Sequence, residues 1–116
     1  MSKKKSRKKC IKVYRKIVGT ITYKLLKGTD NAEEIKIAGN IVSGMINSFT
    51  GYLLRLDNEV MTEKKQEHLI NTINEYLLKI SGKVDSYTPE REDVLYVAMK
   101  LGKMIIKTNQ IIAKNK

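Results

Sequence analysis

The chain has 116 residues, 41% hydrophobic and 30% charged, with one Cys, one His and a formal charge of +11. One domain of this length buries roughly 65% of its unfolded surface, so no metal or disulfide is needed to hold it, and the lone Cys10 excludes an internal disulfide. The charge is local: residues 1–27 hold eleven Lys and Arg and no Asp or Glu, whereas residues 28–116 hold twelve of each sign.

In the first segment Ile11, Tyr14, Val18, Ile21 and Leu25 step by three and four, which puts them on one face of a helix. Lys5, Lys9, Lys12 and Lys16 take the same steps and form a basic stripe beside the apolar one. The helix is expected to stop at Gly28, which tolerates a left-handed backbone. Residues 1–5 are expected to be a flexible basic tail, with residues 6–116 forming a single domain. A secretory signal needs an unbroken apolar run after its basic start, and Lys12, Arg15, Lys16 and Lys24 interrupt this one. A cytoplasmic location is therefore expected, with Cys10 a free thiol in a reducing compartment.

Asp30 followed by Glu33 matches a capping box and predicts the start of a second helix. Its apolar face takes Ile35, Ala38, Ile41, Val42, Met45, Ile46, Phe49, Leu53 and Leu56. The opposite face carries Asn40, Ser43, Gly44, Asn47 and Gly51, with none of the charge usual on a surface helix. Each glycine inside a helix costs about 0.5–1 kcal/mol relative to alanine, so Gly39, Gly44 and Gly51 predict close approach of another backbone, within the bundle or from a second subunit. The uncharged stretch Ile37–Leu54 approaches the length of a membrane span, but Asn40, Ser43, Asn47, Ser48 and Thr50 dilute it, so no transmembrane segment is expected.

Asp57 and Asn58 open a short break, and Thr62 caps a third helix whose core stripe is Leu69, Ile73, Tyr76, Leu77 and Ile80, up to Ser81 and Gly82. Thr88, Pro89 and Glu90 then form a start signal, with Thr88 as cap and Pro89 in the first turn, so the fourth helix is expected from about residue 89. Val94, Val97, Ala98, Leu101, Ile105, Thr108 and Ile112 make its inward face, with Lys100, Lys103, Lys107 and Lys114 on an outward line. Residues 28–93 hold seven basic against twelve acidic groups, and residues 94–116 five lysines and no acid. With no strand signal and short connections, the expected fold is all-α, an antiparallel up-down-up-down four-helix bundle that sets the first and last helices side by side.

Catalytic groups are sparse. His68 stands alone on a polar stretch, no Cys and His cluster offers a zinc site, and no glycine-rich phosphate loop occurs. The acid pairs Glu33 with Glu34 and Glu92 with Asp93 are neighbours that diverge by about 100° on a helix, which suits helix starts better than an acid and base pair. A non-enzyme is expected, without cofactor or metal.

The basic excess points to a polyanion, RNA or DNA, held at Lys5, Arg7, Lys8, Lys9, Lys12, Arg15, Lys16 and Lys24 of the first helix and Lys100, Lys103, Lys107 and Lys114 of the fourth. Arg7, Arg15, Arg55 and Arg91 are the only arginines, and lysine favours phosphate contact over bidentate base reading. Tyr14 and Tyr23 lie among the basic residues, where unpaired bases stack, although partial burial is the expectation for both. An anionic membrane surface is the competing partner, but the first helix has no Trp or Phe to insert.

Three segments carry a family resemblance. Residues Ala32–Leu54, Glu63–Ile80 and Glu92–Ile106, the last with the Leu101–Gly102 step before a basic tail, resemble the last three helices of a four-helix-bundle family. That family contains the proteins encoded in 23S rRNA intervening sequences and the accessory variability determinant (Avd) of diversity-generating retroelements. The resemblance implies a ring-like homo-oligomer, a pentamer in Avd, that binds nucleic acid and a reverse transcriptase through basic surface. More loosely, Ile46–Ile73 is similar to part of the small basic bundles that protect bacteriocin producers, which implies a basic face at the inner membrane surface.

Overall fold

The apolar stripes become four helices: α1 Lys3–Leu25, α2 Ala32–Arg55, α3 Glu63–Lys83 and α4 Arg91–Lys114. The structure, a computed structural model, describes residues 3–55 and 62–114, with side chains for 7–49 and 62–114. The helices form the expected antiparallel up-down-up-down bundle, each packed on its neighbour in sequence and α1 closing on α4. α1 is already helical at Lys3, inside the stretch expected to be tail.

The bundle is flattened. α2 touches α4 across the middle, while the described parts of α1 and α3 do not meet, and the Cα extents are 45 × 34 × 17 Å. The cross-section is thus a rhombus, with α2 and α4 on its short diagonal and α1 and α3 at its acute edges.

Burial follows that shape. α2 buries Ala38, Val42, Met45, Ile46 and Phe49, and α4 buries Val94, Val97, Leu101 and Met104. In α1 full burial is confined to the C-terminal half, at Ile21, Thr22 and Leu25, and Val13, Tyr14, Ile17 and Val18 are only partly covered. Ile11, Ile35 and Ile112, expected to face inward, are each at least 40% exposed. Met104, outside the expected stripe, is fully buried. Leu53 and Leu56 lie outside the described side chains.

The helix ends refine the expected boundaries. α1 stops in a double hydrogen-bonded cap: the Gly28 N–H donates to the Tyr23 carbonyl at 3.0 Å and the Lys27 N–H to the Lys24 carbonyl at 3.2 Å. Two residues, not Gly28 alone, take the left-handed backbone, Lys27 at φ 54° and Gly28 at φ 71°. A Cβ at Gly28 would also come within 3.0 Å of the Tyr23 hydroxyl. Gly28→Ala is therefore expected to lower stability by about 1–2 kcal/mol in urea titration, as a β-carbon opposes this backbone.

α2 is capped by Asn31, one residue later than expected. Its Oδ1 accepts from the Glu34 N–H at 3.1 Å and its Nδ2 donates to Glu34 Oε1 at 3.3 Å. In α3, Thr62 Oγ1 accepts from the Lys65 N–H, as expected. α3 runs through Gly82 to Lys83 because buried Val84 closes it, donating its N–H to the Ile80 carbonyl at 2.8 Å.

α4 begins at Arg91 rather than Pro89. Asp93 Oδ2 accepts from the Glu90 N–H at 3.0 Å and from the Tyr87 hydroxyl at 2.7 Å. Glu90, not Thr88, is the cap. Burial, and then the Asp93 carboxylate, push the Tyr87 hydroxyl well above its ordinary pKa.

Gly39 and Gly44 of α2 do not mark a close backbone approach inside the bundle. A Cβ at Gly39 would meet only Thr22 Oγ1, at 3.9 Å, and one at Gly44 would meet nothing within 4 Å. Gly51 lies outside the described side chains.

Candidate nucleic-acid interface

At its acute edge α1 has only α2 and α4 as neighbours, so a wide arc of its surface faces solvent. Antiparallel packing sets Lys24 of α1 beside Tyr96 of α4: the Lys24 and Lys100 ammonium groups stand 5.8 and 5.6 Å from the Tyr96 ring centroid. Both distances suit a cation on an aromatic face.

From there the seam opens into a groove of about 310 Å³. Lys12 and Lys16 form one wall, Lys100, Lys103 and Lys107 the other, and Val13, Ile17 and Met104 the floor. Steps of three and four residues repeat the ammonium groups roughly every 5 Å along each helix axis. No carboxylate interrupts them, because α1 contains none and α4 none after Asp93. Beyond Tyr96, just before α4, Glu90 pairs with Lys27 at 3.4 Å across exposed surface. Five like charges around one apolar trough concentrate a positive field that an incoming anion relieves.

The expected site residues are distributed unevenly. Lys12, Lys16, Lys100, Lys103 and Lys107 converge on the groove, and Lys24 continues it through Tyr96. Arg15 lies outside the groove on the shoulder of α1, bordering hollows toward α2 and also the shallow hollow beside Lys24 and Tyr96. Arg7, Lys8 and Lys9 are exposed on α1 beyond the groove, and Lys114 is exposed in the last turn of α4. Lys5 belongs to α1, but its side chain lies outside the described ones.

Tyr14 is half-buried against the core as expected, whereas Tyr23 is 72% exposed. The acute edge explains the difference, since α1 turns residue 23 outward with no third helix to cover it. Tyr96 was missed by sequence reasoning, although its position four residues before Lys100 puts both on one helical line.

No protein-family model, curated protein or solved structure matches this chain. Among the described residues no three His, Cys, Asp or Glu side chains gather as metal ligands, and His68 is exposed. No described helix is long and apolar enough to cross a membrane.

Proposed function

We propose that this bundle is a non-catalytic binding protein that holds RNA or DNA by the phosphate backbone along the α1–α4 seam. One observation carries the reading: five lysines from two helices line a single groove with no carboxylate among them. Lysine holds phosphate as a point charge, so the contact tolerates any sequence, and each contact releases a condensed counterion. Fluorescence anisotropy with labelled RNA and single-stranded DNA tests it. For five phosphate contacts, log affinity should fall against log salt with a slope of roughly −3.5 to −4.5. Absence of binding at low salt, or binding indifferent to salt, removes the proposal.

The finer role, an accessory subunit in a reverse-transcriptase complex, rests on the family resemblance. A reverse-transcriptase gene and a repeat pair beside the coding sequence would support it. A gene for a short Gly-rich secreted peptide in that place would instead favour an immunity bundle at the inner membrane surface.

Self-association belongs to the same proposal. Leu95, Met99 and Ile106 are 48–65% exposed and lie about 100° round α4 from the lysine line, each one residue before a lysine or on the same spacing. α3 adds exposed Ile70 and Leu78. Like charges keep two seams apart, so this apolar face is the one that suits a second copy. Light scattering should give a mass above that of one chain, and a monomer at micromolar concentration removes this part.

A further inference from the structure

Gly19 sits in the middle of α1, where glycine costs a helix about 1 kcal/mol relative to alanine. A Cβ there would meet nothing within 4 Å, so packing does not require the glycine. Its effect is to notch the outer ridge of α1. On the α4 side the notch opens to a shallow hollow bordered by Lys16, Lys24 and Tyr96. On the α2 side it opens to an apolar hollow of about 380 Å³ walled by Val18, Ile35 and Gly39. Arg15, Gly19 and Tyr23 border both.

The two sides differ chemically. The α4 side offers ammonium groups, and the α2 side offers apolar wall with an exposed tyrosine and one guanidinium at the rim. The proton of the Thr22 hydroxyl beside Gly39 is already engaged, donated to the Val18 carbonyl at 2.7 Å. A ligand that fits has a flat, largely apolar ring joined to anionic groups a few ångströms away. An unpaired nucleotide in a strand is such a ligand, whereas a duplex keeps its base faces stacked inside and offers only phosphates, sugars and groove edges.

We infer that a single nucleic-acid strand crosses α1 at Gly19, with one unpaired base in the α1–α2 hollow against Tyr23 and the adjoining phosphates on Arg15, Lys16 and Lys24. This rests on the nucleic-acid reading above and adds a preference for single strands. The hollow's wall is mostly apolar, which favours stacking over base-specific hydrogen bonding, so base preference is weak.

The test compares wild type with Gly19→Leu, Tyr23→Leu and Tyr23→Phe against a labelled oligo-dT, a duplex of equal length and phosphatidylserine vesicles. Gly19→Leu fills the notch, and the open space there, with leucine's better helix propensity, keeps α1 intact. Melting temperatures report any effect of residue 23 on the α1 cap. Gly19→Leu and Tyr23→Leu should each bind oligo-dT roughly tenfold more weakly and the duplex unchanged, with Tyr23→Phe like wild type. If wild type binds both nucleic acids in a salt-dependent way and neither leucine variant is weakened selectively for oligo-dT, the notch inference fails and the seam proposal stands. If wild type binds neither, both fail. If the variants lose vesicle binding but keep oligo-dT binding, the notch takes lipid and the inference is overturned.

Discussion

Reversing four seam charges together, Lys12→Glu, Lys16→Glu, Lys103→Glu and Lys107→Glu, should weaken binding to single-stranded and duplex nucleic acid on the order of a thousandfold near physiological salt. The salt slope should become shallower by about one for each lysine removed. These side chains are exposed and border one groove, so the variant removes phosphate contacts and puts carboxylates in their place. Their reversal also relieves repulsion between neighbouring lysines, so the circular-dichroism spectrum and melting temperature should be kept or improved. A control with equal change in net charge reverses Lys36, Lys64, Lys79 and Lys83, all exposed and away from the seam. Equal weakening by both sets would mean that net charge, not the seam, governs binding.

Leu101→Ala should give the largest loss of stability, about 3–4 kcal/mol, measured by urea unfolding. Leu101 is 1% exposed on α4, which, like α2, packs on all three other helices. Removing its side chain leaves a cavity at the centre that no single neighbour can fill. Against a typical net stability of about 5–15 kcal/mol, that is a large fraction. Nucleic-acid binding by the remaining folded fraction should be unchanged, because Leu101 does not line the seam. A loss below about 1 kcal/mol would mean that the centre repacks freely, contrary to the tight core expected of a folded domain.

Much of the fold was legible because helix faces are written locally. Ile73, Leu77 and Ile80 of α3 and Val97 and Leu101 of α4 are buried where the three- and four-residue steps put them. The misplaced helix starts have tertiary reasons. Asp30 and Asn31 are both capable caps, and Asn31 prevails through Glu34, whose other oxygen accepts the Ser86 hydroxyl from the α3–α4 connection. At α4, buried Tyr87 donates to Asp93 and moves the cap from Thr88 to Glu90.

The candidate site was legible in part. The lysines of α1 and α4 share lines of three and four residues, so each stripe could be read before the helices were placed. Arg15 could not be separated from Lys12 and Lys16 on spacing alone, and packing sets it outside the groove, between the hollows on either side of α1. Gly19 carried no local sign of a role, because its notch exists only once two helices flank it.

By itself the sequence determined that there are four helices, which faces are apolar, and that positive charge gathers on the first and last. Those properties depend on residues within a few turns of one another, where backbone geometry dictates which side chains share a face. Only the tertiary structure decided that α2 and α4 approach across the middle and leave α1 at an acute edge. A helix with two neighbours instead of three keeps a wider arc in water, which is why Tyr23 is exposed while Ile21, on the inner face, is buried. The same packing joins Lys12 and Lys16 to Lys100, Lys103 and Lys107 in one groove, since residues so distant in sequence meet only through the summed contacts of the whole core.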